Sequence, residues 1–178
     1  MDGSPERTAT PLDEGAAALA RYGETLTGAV EAALGPWMAA AVEAHLPDGL
    51  DPDKRADVDR AVAEATGRAV ADVGGRLRQL LALDLDDQWT NPLSIIRRAV
   101  AYPTAVLAAA GAPPVDRDNT DAALHPDDVY GLVPLAFADL GPEVHERGLE
   151  WGAAKAHVHL TRRRAAEAAG STTARPGR

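Results

Sequence analysis

The stretch GLEWGAAKAHVHL, residues 148–160, places an indole, an amine and two imidazoles within thirteen positions. On a helix, Trp151, Lys155 and His159 lie one turn apart on the same side. A lysine amine and an imidazole beside an aspartate form a polar pocket suited to an anion or a carbonyl compound. The acidic segments 84–87 and 127–128 supply candidate carboxylates, and we include Asp127 and Asp128 among the candidate ligand-binding residues.

The same spacing has a second interpretation, in which the stretch is one face of a packed helix. The aliphatic stem of Lys155 then covers Trp151 while its amine reaches water at the edge of the core. His159 is then a core histidine with a backbone partner, and His157, on the opposite side, is exposed. The sequence favours this packed-helix interpretation over the pocket.

No other part of the chain carries a local catalytic or metal-binding pattern. The chain has no cysteine, which excludes disulfides, thiolate catalysis and cysteine-bound zinc. His157 and His159 point about 200° apart on a helix, so they do not share a metal. There is no nucleophile elbow, phosphate-binding loop or HExxH motif. We predict no catalytic residue, metal or cofactor, and keep an enzymatic pocket at Lys155 and His159 as the alternative.

Composition and charge restrict the class of protein. A chain of 178 residues is long enough for one domain with a core. Aromatic residues make up 4% of the chain, and the abundant alanine, leucine and valine favour close-packed helices over a sheet. A net charge of −9 disfavours binding of nucleic acid or anionic membranes by the acidic body. We find no signal peptide and no run of transmembrane length, and expect a cytoplasmic protein.

Capping signals and helical periods predict the fold. In three places a capping residue precedes a proline that can occupy the first turn of a helix. These places are Thr10-Pro11, Asp51-Pro52 and Asn91-Pro92. No segment alternates with period two. We predict an all-α, single-domain bundle of five or six helices over residues 11–166, with disordered tails at 1–10 and 167–178.

Glycine and proline mark further points of interest inside the predicted helices. Gly35-Pro36 is expected to end or kink the first helix, and Pro103 to kink a later one. Gly74-Gly75 indicates a kink or a close helix crossing. In the final helix, Gly148, Gly152 and Ala156 form a column at spacing four, where another helix can approach closely. The acidic stretch 111–128 is predicted to be irregular.

The first helix carries the predicted interaction surface. Leu12, Leu19 and Leu26 recur every seven residues, and the Ala-rich segment around Trp37 follows. We expect these residues to contact a partner, although a core role is the commoner outcome for such a seam. The favoured function is a non-enzymatic helical interaction or accessory protein that binds another protein, first of all a second copy, as a homodimer.

Two rival functions remain from the residues alone. One is the small-molecule or enzymatic pocket around Lys155 and His159. The other is a transcription regulator, ranked last because the strongest basic cluster, Arg162 to Arg164, lies near the C-terminus.

Three stretches of the sequence resemble a known group of proteins. They are NPLSIIRRAVAYPTAVLAAAGAPPV (91–115), DDVYGLVP (127–134) and GLEWGAAKAHVH (148–159). They are similar to segments of a family of conserved hypothetical proteins of high-GC actinobacteria, over residues 75 to 160. The resemblance implies a cytoplasmic bacterial protein, and it implies no activity, ligand or catalytic residue.

Overall fold

The computed structural model of the protein describes residues 10–83 and 91–173, which are mostly helical and contain no strand. The predicted all-α class is therefore confirmed. The α-helices are α1 (Pro11–Glu43), α2 (Pro52–Ala69), α3 (Gly75–Leu83), α4 (Pro92–Ile96), α5 (Ala101–Ala110), α6 (Asn119–Leu124) and α7 (Pro142–Thr173). A π-helical turn joins α2 to α3, and short 3-10 segments lie at Arg97–Val100 and Phe137–Leu140.

The three predicted capping residues begin three of these helices. The Thr10 side chain accepts a hydrogen bond from the Asp13 backbone N–H at 3.3 Å, and the Asp13 carboxylate accepts one from the Thr10 N–H at 3.0 Å. The side chains of Asp51 and Asn91 cap α2 and α4 by accepting hydrogen bonds from the backbone N–H groups of Asp53 and Leu93, two residues on. Each cap satisfies backbone donors that the first turn of a helix leaves open.

The two longest helices, α1 and α7, pack side by side in opposite directions. A Cβ built on Gly15 would lie 3.2 Å from Val158 Cγ2, and one built on Gly23 would lie 4.0 Å from Trp151 Cδ1. The core lies between this pair and the remaining helices. Its largest fully buried side chains include Leu26, Leu34, Met38, Leu77, Ile96 and Leu107.

Of the two outcomes predicted for Gly35-Pro36, an end or a kink of the first helix, the end is wrong. Helix α1 runs without interruption through Pro36 to Glu43. Leu34 and Met38, on either side of the proline, are both fully buried. Tertiary packing of these residues stabilises the helix through a position whose local propensity is unfavourable.

For Gly74-Gly75 the sequence indicated a kink or a close helix crossing. The structure shows a close approach between α1 and the π-helical turn Val70–Gly74. Gly74 is buried, and a Cβ built on it would lie 2.9 Å from Glu31 Cδ. Glu31 in turn pairs with Arg78 at 2.6 Å. A side chain at position 74 would require the Glu31 carboxyl group to move.

Pro103 distorts its own helix. The turn before it, Arg97–Val100, is a 3-10 segment between α4 and α5. A proline has no N–H for the carbonyl four residues back, and its ring clashes with that group, so the preceding turn tightens. The distortion predicted at Pro103 therefore falls at residues 97–100.

The segment Pro92–Ala110 is long and apolar enough to cross a membrane, with a mean hydropathy of 1.2 in a window that is 28% buried. The expectation that no run of the sequence reaches transmembrane length was therefore wrong. The segment carries Arg97 and Arg98, and core helices of water-soluble proteins pass the same criterion. It is weak support for a membrane-spanning role.

Two predicted boundaries differ from the structure. The stretch 111–128 contains the short helix α6. Asp118 caps this helix, and its Oδ1 accepts a hydrogen bond from the Thr120 backbone N–H at 2.7 Å. Helix α7 continues to Thr173, so the predicted start of the C-terminal tail at 167 lies inside a helix. Most of the predicted N-terminal tail, residues 1–9, lies outside the described residues.

The small-residue column of α7 makes one close contact, and an aromatic ring makes it. A Cβ built on Gly148 would lie 2.8 Å from Phe137 Cε2 and 2.9 Å from Phe137 Cγ. One turn on, a Cβ on Gly152 would meet nothing within 4 Å. Ala156 is exposed. The expected helix crossing at this column is therefore replaced by the packing of Phe137 on Gly148.

Candidate functional site

Lys155 is buried within the bundle, with 7% of its surface exposed. Its Nζ is itself buried and lies 5.2 Å from the centroid of the Trp151 ring, within the range of a cation–π interaction. The expectation that this amine reaches water at the edge of the core was wrong. Trp151 and Lys155 lie on one side of α7 as predicted, but the charged end of Lys155 is enclosed in the bundle.

Two more nitrogen atoms are buried on the same side of α7. Trp151 Nε1 and His159 Nε2 have no hydrogen-bond partner among the described residues. His157 is exposed, as predicted. The acidic segment 84–87, which we considered as a source of carboxylates for Lys155, lies outside the described residues. The described part of the chain therefore places three nitrogen-bearing side chains in a row, one per turn. Each has a buried nitrogen atom, and His159 as a whole is partly buried.

Asp127 and Asp128, the other candidate carboxylates, belong to a different part of the molecule. Asp128 is buried and accepts hydrogen bonds from the backbone N–H groups of Leu132 and Val133, both at 2.8 Å. Both carboxylate oxygens are thus committed to the turn that follows. Asp127 is exposed. The structure gives Asp128 a structural role and does not place it with Lys155 in one pocket.

These two aspartates line an open groove of about 600 Å³ along α4 and α5. Its far end carries Arg97, whose Nε donates to the Pro134 carbonyl at 3.1 Å, and the exposed Arg98. Thr104 also lines the groove, and its buried hydroxyl has no hydrogen-bond partner among the described residues. The sequence contained a signal for this groove, since helical periodicity over residues 91–110 places Arg97, Arg98 and Thr104 on the polar side, opposite the apolar residues of that segment.

The predicted interaction residues of α1 are mostly core residues. Leu26 is fully buried and Leu19 nearly so within a single chain. Trp37 is partly buried and packs against the same core, and Leu12 is partly buried. The heptad seam of α1 therefore faces α7 and the other helices of its own chain, and Leu19 and Leu26 are not available to a partner.

A row of exposed apolar residues lies on α7 instead. Leu149 is 61% exposed and Leu160 is 52% exposed, and Ala153 and Ala156 between them are also exposed. Successive spacings of four, three and four residues place all four within an arc of about 60°. We call these four residues the outer face of α7. The helical positions of the sequence suggested that Leu149 and Ala156 lie near the packed side of α7. That expectation was wrong, because the buried side of α7 centres on residues such as Trp151 and Val158.

A shallow groove runs beside the outer face, where α7 meets α1. It has a volume of about 340 Å³ and is lined by Ala18 and Tyr22 of α1 and by Ala153 and His157 of α7, among others. Tyr22 is 37% exposed. The apolar surface therefore continues from α7 onto α1.

An ion pair and a tyrosine link the π-helical turn to α5. Asp72 pairs with Arg76 at 2.6 Å and accepts a hydrogen bond from the Tyr102 hydroxyl at 3.2 Å. The Arg76 guanidinium is the main cause that lowers the pKa of Asp72 below its ordinary value. Burial, and then the Asp72 charge, raise the pKa of Tyr102. This cluster stabilises the fold and lies apart from the outer face of α7.

These features define a class, an all-α bundle with an exposed apolar helix face. Comparisons with protein-family models, curated proteins and solved structures find no match to this chain. The resemblance to a family of actinobacterial proteins therefore stays a prediction.

Proposed function

We propose that this chain is a non-enzymatic interaction protein whose first partner is a second copy of itself. The observation that supports this function is the outer face of α7, where two exposed leucines and two exposed alanines share one side of a helix. Single exposed apolar residues are ordinary on a protein surface, but a continuous row over three turns is typical of a contact surface.

The energetics of such a contact predict weak association. Fully burying a leucine side chain is worth roughly 1.5–3 kcal/mol, and two leucines from each copy would be covered in part. Association costs several kcal/mol of translational and rotational freedom, and one helix pair is smaller than a standard interface of roughly 1,200–2,000 Å². We therefore expect dimers at micromolar rather than nanomolar concentration.

The rival pocket at Lys155 and His159 has less support. Lys155 is buried in the bundle and His159 is partly buried, and neither residue lines the grooves described above beside α5 and α1. A ligand would have to displace core side chains before it reached the Lys155 amine.

Charge substitutions on the outer face test the proposal. Leu149→Glu and Leu160→Glu place carboxylates where the second copy would pack, so light scattering at several hundred micromolar should return a monomer. Leu124→Glu is the matched control, because Leu124 is 68% exposed on α6 and lies outside this face. Variants of α7 that stay as dimeric as the control would exclude the outer face as the contact surface.

A further inference from the structure

We infer that the two copies pair with their α7 helices antiparallel, about a two-fold axis that passes between Ala153 and Ala156. This inference rests on the proposed self-association and specifies its geometry. It follows from the order of side chains along the outer face and from the charges beside it.

The outer face is complementary to itself when one copy is reversed. In the antiparallel register, Leu149 lies opposite Leu160 of the partner subunit, and Ala153 lies opposite Ala156 of the partner subunit. Large residues thus meet at both ends, and small residues meet at the centre. Alanines at a helix contact let the two backbones approach closely, within the usual 8–10 Å between axes or slightly less.

The flanking charges choose between the antiparallel and the parallel pairing. Glu146 and Arg164 are eighteen positions apart, about five helical turns, so they lie on the same side of the outer face. Both are exposed. In an antiparallel pair about a two-fold axis, flanking residues of the same side meet, which places Glu146 next to Arg164 of the partner subunit. This opposite-charge pair occurs twice in the dimer.

The other side of the outer face is consistent with this choice. There, His145 and Arg163 are likewise eighteen positions apart, so the antiparallel pair places His145 next to Arg163 of the partner subunit. Arg163 already pairs with Glu167 of its own chain at 3.0 Å. A parallel pair would bring opposite sides together and set Arg164 next to Arg163 of the partner subunit, twice. The parallel pairing therefore replaces two attractive contacts with two repulsive ones.

Cysteine cross-linking distinguishes the two pairings, because the natural chain has no cysteine. Leu149→Cys is mixed with an equal amount of ¹⁵N-labelled Leu160→Cys at several hundred micromolar, oxidised gently and analysed by mass spectrometry. The antiparallel pairing predicts that disulfides join one variant to the other. Like residues are then eleven positions apart along the helix, about 16 Å, which is too far for a disulfide.

The outcomes separate this inference from the proposed function. Disulfides that join each variant to itself, in a protein that light scattering shows to be dimeric, would overturn the antiparallel pairing and leave self-association intact. A dimer in which neither cysteine forms a disulfide would overturn the use of the outer face. A monomer under all conditions would overturn the proposed function and this inference together.

Charge reversal provides an independent test that leaves the leucines unchanged. Arg164→Glu should weaken the antiparallel dimer about three- to thirtyfold, since two Glu–Arg contacts become repulsive. Glu146→Arg should do the same, and the double variant should return to within about threefold of the natural chain. An Arg164→Glu dimer tighter than the natural one would support the parallel pairing and overturn the inference.

Discussion

The packing of Phe137 on Gly148 makes a quantitative prediction about two glycines one turn apart. Both Gly148 and Gly152 lie inside α7, where replacing glycine by alanine gains about 1 kcal/mol of helix propensity. A Cβ at Gly152 would meet nothing within 4 Å, whereas a Cβ at Gly148 would lie under 3 Å from three atoms of the Phe137 ring. The two substitutions therefore share the gain in helix propensity, and they differ in the steric clash with the Phe137 ring.

The difference between the free energies of unfolding of the two variants measures the cost of the steric clash with Phe137 alone. Overpacking of this kind costs about 1–3 kcal/mol. Gly152→Ala should stabilise the protein by about 1 kcal/mol, and Gly148→Ala should be less stable than Gly152→Ala by about 1–3 kcal/mol. Urea denaturation of both variants, followed by circular dichroism at a concentration where the protein is monomeric, gives these free energies of unfolding.

A second background shows whether Phe137 is the cause. In a Phe137→Ala protein the ring is absent, so Gly148→Ala should stabilise that protein by about 1 kcal/mol as Gly152→Ala does. Equal stability of Gly148→Ala and Gly152→Ala in the natural background would refute the packing described for this contact.

Three further substitutions test other parts of the structure. Lys155→Arg should cost about 1–3 kcal/mol in denaturation experiments, because a guanidinium does not fit where the amine is enclosed, and a neutral result would restore the edge-of-core interpretation. Leu26→Ala should cost about 2–5 kcal/mol while leaving the dimerisation constant unchanged, since Leu26 is core rather than interface, and a loss of dimerisation alone would argue the reverse. The lowered pKa of Asp72 means that its stabilising contribution is present above an ordinary carboxyl pKa near 3.8 and is lost as the pH falls through the lower folded value. The stability difference between the natural protein and Asp72→Asn should therefore shrink below about pH 3.8, and a difference that stays constant down to pH 2 would contradict this assignment.

Local signals predicted the helices well because the physical causes are themselves local. Thr10, Asp51 and Asn91 each satisfy backbone donors within three residues, so a capping residue before a proline locates a helix start without any knowledge of the fold. Pro36 shows the opposite case. Its effect depends on whether the residues around it are held by packing, and the burial of Leu34 and Met38 is a property of the whole bundle.

The candidate site was harder to predict because periodicity does not say which apolar face is covered. The seam of Leu19 and Leu26 and the row of Leu149 and Leu160 both have helical spacing, yet the first is core and the second is exposed. Trp151 and Lys155 were correctly placed on one side of α7. The burial of the Lys155 amine depends on neighbouring helices, and the sequence pattern of α7 alone carries no information about them.

Sedimentation equilibrium of the natural chain tests the central claim most directly, which is that the protein self-associates through an exposed helix face. The monomer mass is 18.6 kDa. Over a range from low to several hundred micromolar, we predict that the apparent mass rises from the monomer value toward twice that value, and that Leu160→Glu holds it at the monomer value. A natural chain that sediments at 18.6 kDa across the whole range would contradict the account.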